Sequence, residues 1–160
     1  MEQEILFDTH HSKQEKQAAI VPQVKALVQG ETNLIANLAN IAAVLKTVFD
    51  YYWVGFYIKE VEGLVLGPFQ GPVACTRIGK GKGVCGKCVE LKQAIIVPNV
   101  NEFEGHIACS SATQSEIVVP VIKNNQVRMI IDVDSLTLAD FDQEDQVFLE
   151  KIAEIIANSL

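Results

Sequence analysis

The sequence contains 160 residues, enough for one domain with a single sizeable core. Hydrophobic residues make up 49% of it and charged residues 21%, a composition that excludes a disordered protein. With 13 Lys and Arg against 20 Asp and Glu, the net charge is −7, which disfavours nucleic-acid binding because that function needs a basic surface.

Two helices are predicted in the N-terminal region, residues 12–50. Ser12 and Glu15 have the spacing of a capping box, and the helix that follows is expected to end or kink near Pro22, because proline has no N–H to donate. The second helix is amphipathic and closes at Asp50. Its apolar residues recur every three or four positions, at Leu34, Leu38, Ile41, Ala42, Leu45, Val48 and Phe49.

Strands dominate the middle of the chain. Tyr51–Lys59 is rich in aromatic and β-branched residues, and its period of two places Tyr51, Trp53 and Tyr57 on one face. The following segments are predicted as a strand at Leu64–Leu66, a loop at Gly67–Pro72, a short strand at Cys75–Ile78, a helix at Val84–Leu91 and a strand at Ala94–Val97.

A β-hairpin is predicted from two β-rich runs, Glu116–Lys123 and Gln126–Asp134, with Asn124-Asn125 as the turn between them. Residues 101–109 before it form a long loop, and residues 142–159 form a closing helix that Asp142 caps. Neighbouring strands joined by short turns pair antiparallel. We therefore expect one α+β domain over residues 1–160, with an antiparallel sheet at 51–135 and terminal helices packed on one face.

All four cysteines lie between Cys75 and Cys109. The start of the chain is acidic and lacks the features of a secretory signal, and no apolar run is long enough to span a membrane. We therefore expect a cytoplasmic protein without membrane contact, and a homodimer is compatible with the sequence. Thiols stay reduced in that compartment, which favours metal binding or catalysis over structural disulfides.

A zinc site is one interpretation of the cysteines. Cys85 and Cys88 form a C-x-x-C pair, but Cys75 and Cys109 would have to supply the remaining ligands from irregular spacings. Among the histidines, only His106 lies nearby in the sequence. Any single cysteine can also be a small buried apolar residue.

Redox catalysis is the other interpretation. A reactive thiol must be partly ionised, and a free cysteine has a pKa of about 8.5, so nearby cations are needed. His106 stands three residues before Cys109, where it is equally suited to a loop-tip hydrogen bond. A second thiol, Cys75 or Cys85, can trap a sulfenic acid on Cys109 as a disulfide. Three lysines surround Cys85 in the sequence, namely Lys80, Lys82 and Lys87.

The glycine-rich run 79–83 is predicted as a turn into a helix. A phosphate-binding loop needs Ser or Thr after its lysine, whereas Lys82 is followed by Gly83.

Three carboxylates stand in apolar strand sequences. Asp132 and Asp134 share one face, and Glu116 begins the partner strand. Such groups lie on the solvent face, or are paired, or bind a cation. A strict two-residue turn pairs Glu116 with Val133 and sends it to the opposite face, whereas a longer loop or a bulge brings all three carboxylates together. Trp53 is either a core residue or the apolar wall of a pocket.

Six segments share an order and spacing that point to one family. They are Trp53–Tyr57, Leu66–Gly71, Gly81–Gly86, Gly105–Cys109, Ser115–Pro120 and Asp132–Ser135. Together they resemble the free methionine-(R)-sulfoxide reductases, small GAF-domain enzymes, from about residue 52 to the C-terminus. A generic GAF module lacks three of these cysteines.

The resemblance implies a six-stranded antiparallel sheet, helices packed against it, and a ligand cavity under loops. The implied activity is reduction of free methionine-(R)-sulfoxide through a sulfenic acid and an intramolecular disulfide, with thioredoxin as reductant and no metal or organic cofactor. Cys109 matches the attacking cysteine, Cys75 the partner in the disulfide, and Cys85 an auxiliary thiol.

For substrate binding, the resemblance assigns Glu116, Asp132 and Asp134 to hold the substrate and Trp53 to surround its methyl group. Ser110 departs from the Asp that often follows the attacking cysteine, Met129 replaces a usual glycine, and Cys88 is an additional thiol. A GAF sensor that binds a ligand or responds to oxidants without catalysis is the alternative. Such sensors are usually attached to an output domain, for which 160 residues leave no room.

Overall fold

The computed structural model describes residues 4–107 and 109–160. The acidic start of the chain at Met1–Gln3 and the Ala108 of the Gly105–Cys109 segment therefore lie outside the described residues. In chain order the elements are α1 (Lys13–Val28), α2 (Leu34–Phe49), β1 (Trp53–Glu60), β2 (Gly63–Gln70), β3 (Arg77–Gly79), α3 (Gly83–Leu91), β4 (Ile95–Val97), a 3₁₀ turn (Val100–Glu102), β5 (Ser115–Lys123), β6 (Gln126–Ser135) and α4 (Gln143–Ser159).

The strands form one six-stranded sheet in the order β3-β2-β1-β6-β5-β4, and every pairing is antiparallel. The predicted α+β class and antiparallel sheet are confirmed. Helices α1, α2 and α4 pack on one side of the sheet, here called the helix face, as predicted for the terminal helices. Helix α3 packs on the opposite side, here called the site face. No described helix is long and apolar enough to cross a membrane.

Both faces of the central strands are buried. In β1, Val54 and Phe56 belong to the helix-face core, whereas Trp53 and Tyr57 belong to the site-face cluster, as the period of two predicts. Tyr51 was expected beside Trp53, and that prediction is wrong: its side chain packs in the helix-face core. The reason is that β1 begins only at Trp53, so strand alternation does not extend to Tyr51.

Helix α1 begins at the predicted capping box but does not end at Pro22. The Ser12 side chain accepts from the Glu15 backbone N–H, and the Glu15 carboxylate accepts from Ser12. The helix continues to Val28 because Ile20 and Val24, on either side of the proline, are fully buried. Packing therefore overrides the loss of one backbone hydrogen bond at Pro22, which is exposed.

Strand β2 includes residues 67–70 of the segment predicted as a loop, whereas Gly71 and Pro72 lie outside the strand. It reaches Gln70, and a β-bulge accommodates the Gly-Pro pair: Gly67 and Pro68 lie opposite Phe56 alone, between the Gly55–Phe69 and Tyr57–Leu66 pairs. Strand β3 pairs only with residues 63–65 of β2. The outer edge at Pro68 therefore needs no backbone donor, which is where a sheet tolerates proline.

The β5–β6 hairpin decides where the carboxylates point. Asn124 and Asn125 have φ of 52° and 60°, the left-handed pair of a type I′ turn. Ile122 pairs with Val127 but Val121 pairs with Met129, so Arg128 is an extra, bulged residue. This shift pairs Glu116 with Asp134. Of the two geometries considered from the sequence, the bulged one is correct.

Helix α4 starts at Asp142, which caps it as predicted. In its first turn the fully buried Asp145 carboxylate accepts from Lys13 at 2.7 Å and from Gln17 at 2.8 Å. These charge-assisted bonds fix α4 against α1 on the helix face.

Candidate active site

A disulfide joins the two ends of the cysteine-rich segment. Cys75, just before β3, is bonded to Cys109, in the loop before β5, and their Cα atoms are 5.2 Å apart. Cys85 and Cys88 are free and buried. A zinc site built from all four cysteines is therefore not formed in this state, because a metal site needs thiolates.

A small cavity adjoins this disulfide on the site face. Its volume is about 30 Å³, room for one or two water molecules. It is lined by the N-terminal turn of α3, by β5 and β6, and by four loop residues, His106, Ile107, Cys109 and Ser110. Among its walls are Cys85, Cys109, Glu116, Asp132 and Asp134. The structure thus brings six of the seven predicted site residues, counting Cys75 through the disulfide, into one place.

The three carboxylates meet because of the bulge in β6. Glu116 and Asp132 are only 5% and 6% exposed, and Asp134 is the direct neighbour of Glu116 across the strands. Burial, reinforced by the charge of Asp134 and then Glu116, raises the pKa of Asp132 well above its usual range. Burial and the Glu116 charge raise the pKa of Asp134 to about 8. At neutral pH the raised pKa values favour the protonated forms of Asp132 and Asp134.

Cys85 faces the carboxylates, not cations. Its Sγ lies 3.6 Å from Asp132 Oδ2 and 3.8 Å from Glu116 Oε1, in the first turn of α3. Burial first, and then the charge of Asp132, raises the pKa of the Cys85 thiol well above its ordinary value. The expectation that neighbouring lysines lower it is wrong, since Lys82 and Lys87 are exposed and Lys87 Nζ is paired with Glu90 at 3.4 Å.

The glycine run forms the predicted turn into this helix. Gly81 and Gly83 have φ of 69° and 63°, a left-handed conformation that glycine adopts without strain. Cys88, one helical turn after Cys85, is fully buried and its Sγ points to the carbonyl of Val118 at 3.8 Å. Burial raises its pKa to about 12. Cys88 therefore has the environment of a buried apolar residue.

His106 contacts the carboxylate cluster. Its Nε2 lies 3.7 Å from Glu116 Oε2, and the imidazole is 16% exposed at the cavity wall. This position allows it to pair with Glu116 when protonated. Both roles considered from the sequence, a hydrogen-bonding loop residue and a participant in the chemistry, are compatible with it.

Trp53 stands beside the cavity, not among the described residues that line it. It pairs with Asp134 across β1 and β6, and its indole N–H donates to the Pro72 carbonyl at 3.0 Å. Its ring stacks on Phe69 and Tyr57, with centroids 5.3 Å and 6.0 Å away. The indole is thus held as a rigid apolar wall next to the carboxylates.

Two tyrosines support the disulfide, and neither was assigned a role from the sequence. The Tyr57 hydroxyl donates to the Cys75 carbonyl at 2.9 Å. Tyr52 and Ser110 share a hydroxyl–hydroxyl hydrogen bond of 3.1 Å, next to Cys109. The strand face that Tyr57 shares with Trp53 could have indicated its position near the site. Nothing in the local sequence predicts the hydrogen bond between Tyr52 and Ser110.

Comparison with known sequences places this site in a family. The GAF domain model matches residues 33–160. The chain is 49% identical to GAF domain-containing protein A of Dictyostelium discoideum over 92% of its own length and 94% of that protein. It is 40% identical to free methionine-R-sulfoxide reductase of Saccharomyces cerevisiae, covering 96% and 90%, and 43% identical to that of Escherichia coli, covering 88% and 86%.

Solved structures agree with these relatives. Free methionine-R-sulfoxide reductase from Neisseria meningitidis, in complex with its substrate, superposes with a TM-score of 0.95 at 42% identity, over 98% of this chain and 94% of that one. The reduced form of the Staphylococcus aureus fRMsr superposes with a TM-score of 0.84 at 40% identity, over 90% and 94%.

Proposed function

The chain belongs to the free methionine-R-sulfoxide reductases of the GAF-domain family, and on that premise we propose that Cys109 is its attacking thiol and Cys75 its resolving thiol. One observation carries the proposal: the bond between Cys75 and Cys109 adjoins the carboxylate-lined cavity. A disulfide at that position is the expected product of turnover, because a sulfenic acid condenses with a neighbouring thiol.

Recognition of a free amino acid follows from charge. Methionine sulfoxide carries an ammonium group that a methionine within a protein chain lacks. Glu116, Asp132 and Asp134 bring three acidic groups together around the cavity, and an ammonium group bound there favours the ionised form of a neighbouring carboxyl group. Trp53, fixed by its stacking partners, supplies the apolar surface for the methyl group at sulfur.

The same carboxyl groups supply a proton. As the Cys109 thiolate attacks the sulfoxide sulfur, the sulfoxide oxygen must be protonated, and a carboxyl group with a raised pKa is a suitable donor at neutral pH. The oxygen passes to Cys109, which becomes a sulfenic acid, and free methionine leaves. Cys75 then attacks the Cys109 sulfur, so that water departs and the disulfide forms.

Recycling requires an external dithiol such as thioredoxin. Its thiolate attacks the disulfide through a mixed disulfide, and the exchange restores both enzyme thiols while oxidising the donor. In the disulfide state the cavity of about 30 Å³ is too small for an amino acid of this size. The proposed order is therefore reduction, widening of the cavity, substrate binding and chemistry. Cys85 is proposed as an auxiliary thiol that positions the carboxyl groups.

Stereochemistry gives the direct test. The reduced protein, supplied with thioredoxin, its reductase and NADPH, should consume free methionine-(R)-sulfoxide and leave the (S) isomer. The two separated isomers and an N-acetylated, amidated (R) substrate are compared by chromatography of the methionine formed. Equal turnover of the blocked substrate would contradict recognition through the free ammonium group.

Single-turnover experiments test the assignment of the thiols. Fully reduced Cys75→Ser should form one equivalent of methionine and then stop, whereas Cys109→Ser should form none. Cys88→Ser is the matched control, since that thiol lies against Val118, and it should turn over like the wild type. Methionine formation by Cys109→Ser would exclude Cys109 as the nucleophile.

A further inference from the structure

Cys85, Glu116 and Asp132 place three different donor atoms around one point. The Cys85 sulfur and one oxygen from each carboxylate all lie within 4.8 Å of one another, and all three residues are buried. Among the described residues, this is the group whose donor atoms converge closely enough to hold a metal ion. It combines two different strands with the first turn of α3.

The two sulfur–oxygen separations in this group match those around a tetrahedral ion. With Zn–S of about 2.3 Å and Zn–O of about 2.0 Å, a tetrahedral angle sets the S···O edge at about 3.5 Å. The observed edges are 3.6 Å from Cys85 Sγ to Asp132 Oδ2 and 3.8 Å to Glu116 Oε1. Both S···O edges are therefore within a few tenths of an ångström of the tetrahedral value, and the two carboxylate oxygens lie within 4.8 Å of one another.

A second observation points to a missing ligand at this place. Asp132 Oδ1, the second oxygen of the carboxylate whose Oδ2 faces Cys85, is buried and has no hydrogen-bond partner among the described residues, although Asp132 is only 6% exposed and lines the cavity. An unpartnered buried carboxylate oxygen is costly. His106 provides an outer-shell contact to the other oxygen of Glu116 at 3.7 Å, the kind of contact that orients metal-ligating carboxylates.

We propose that Cys85, Glu116 and Asp132 bind a thiophilic divalent cation, specifically Zn²⁺, with a fourth coordination position open to water. Binding of the ion displaces the proton of the buried Cys85 thiol, and the resulting thiolate favours Zn²⁺ over Mg²⁺ and Ca²⁺, which take oxygen ligands. The cavity of about 30 Å³ accommodates an ion and a water without any opening of the site. The site exists in the disulfide form, where Cys75 and Cys109 offer no thiolate.

The bound ion would be an inhibitor. This consequence rests on the proposed function, because the ion uses the carboxylates proposed to hold the substrate ammonium group. Zn²⁺ and free methionine-(R)-sulfoxide should then exclude one another. Binding of the ion to the oxidised protein is measured without turnover.

Cobalt is the probe, because tetrahedral Co²⁺ reports its ligands through visible bands and thiolate-to-metal charge transfer. Oxidised wild-type protein, free of reductant and buffer chelators, is titrated with CoCl₂ and then with ZnCl₂. A charge-transfer band that saturates at one equivalent and is abolished by one equivalent of Zn²⁺ is expected. Absence of the band in the wild type overturns the proposal, whatever the variants do.

Variants locate the site. Cys85→Ser should lose the charge-transfer band, whereas Cys88→Ser, the other free thiol, should retain it. Asp132→Asn should keep the thiolate band but weaken Co²⁺ affinity at least about tenfold, the minimum cost of disturbing a metal shell. A band that survives in Cys85→Ser, or unchanged affinity in Asp132→Asn, contradicts the assignment. If sulfoxide turnover fails while this binding is found, the proposed function falls and the metal site stands.

Discussion

The raised pKa values of Asp132 and Asp134 depend on the bulge in their strand. Because Arg128 is bulged out of the pairing, both aspartates lie beside Glu116, with Asp132 buried and Asp134 half-buried. Burial and mutual repulsion then raise their pKa values. The sequence shows that these carboxylates share a strand face, but the raised pKa depends on register and burial together.

The raised pKa of Asp134 has a consequence for stability. An unfolded Asp has a pKa near 3.8 and the folded one about 8, so the folded state holds the extra proton between these values. The folded state is therefore favoured below pH 3.8, and this advantage is lost as the pH rises to about 8. Asp134→Asn removes the effect. As the pH rises across that range, the free energy of unfolding of the variant should increase relative to that of the wild type by up to about 1.4 kcal/mol per pH unit.

Denaturant titrations at several pH values measure this difference. Asp50→Asn is the control, because that carboxylate is 95% exposed, and it should track the wild type. A difference between Asp134→Asn and the wild type that stays constant from pH 4 to 8 would show that Asp134 ionises normally in the folded protein.

Gly55 shows how closely the Trp53 wall is packed. A Cβ at this position would lie 2.6 Å from Trp53 Cη2 and would also collide with Phe69. Gly55→Ala should therefore lower the free energy of unfolding by about 1–3 kcal/mol and disturb the Trp53 environment in near-ultraviolet circular dichroism. Gly79→Ala is the matched control, because its nearest neighbour is the flexible Lys82 side chain at 3.4 Å. Equal stability of the two variants would contradict this account of the packing.

At the scale of the elements, the bulge separates the hairpin turn from the site. Val127 lies on the site face and Met129 on the helix face, while Arg128 between them is exposed. Deleting Arg128 should therefore leave a regular hairpin with Glu116 still opposite Asp134, and the variant should retain most of its sulfoxide reductase activity.

An alanine inserted between Ile131 and Asp132 is the opposite case. It should turn both aspartates towards the helix face and abolish activity, because side chains alternate along a strand. Turnover by both variants is measured alongside far-ultraviolet circular dichroism. If the Arg128 deletion variant is folded but inactive, the bulge itself is required for the active site and does not only accommodate an extra residue.

The sequence predicted a helix start or a turn correctly where residues close together in the chain determine it. The Ser12 capping box and the Asn124-Asn125 turn are examples, since their hydrogen bonds and φ values involve adjacent residues. The helix end predicted as one outcome at Pro22 does not occur, and the loop predicted at Gly67–Pro72 is wrong for residues 67–70, because packing of a buried helix face and a bulge override local preference. Those outcomes depend on residues distant in the sequence, which periodicity does not report.

For the candidate site, too, the sequence predicted features set by nearby residues and not contacts between distant ones. The cysteine pair and the shared face of the aspartates are readable from spacing and resemblance. The approach of Cys85 to the carboxylates is not, because α3 and β6 are 47 residues apart along the chain at this contact. Sequence neighbours suggested lysines around Cys85, whereas the fold supplies acids.

At the scale of the whole molecule, the disulfide ties β3 to the loop before β5. Cys75 and Cys109 are separated by 34 residues, and closing a loop of that length stabilises a protein by about 4 kcal/mol in the chain-entropy model. The oxidised protein should therefore resist urea better than the reduced one. Cys75→Ser should show no such difference between oxidising and reducing buffers. Equal unfolding midpoints for oxidised and reduced wild type would contradict this expectation.

The burial of Cys85 and Cys88 has a consequence for the accuracy of thiol exchange. Four cysteines allow three ways of forming two disulfides. With a pKa of about 12, Cys88 is ionised at roughly one part in 10⁵ at pH 7, and Cys85 is likewise held as a thiol. Since only thiolates attack disulfides, a reductant or oxidant entering from solvent meets a single reactive pair. The fold thereby prevents scrambling that the sequence alone would permit.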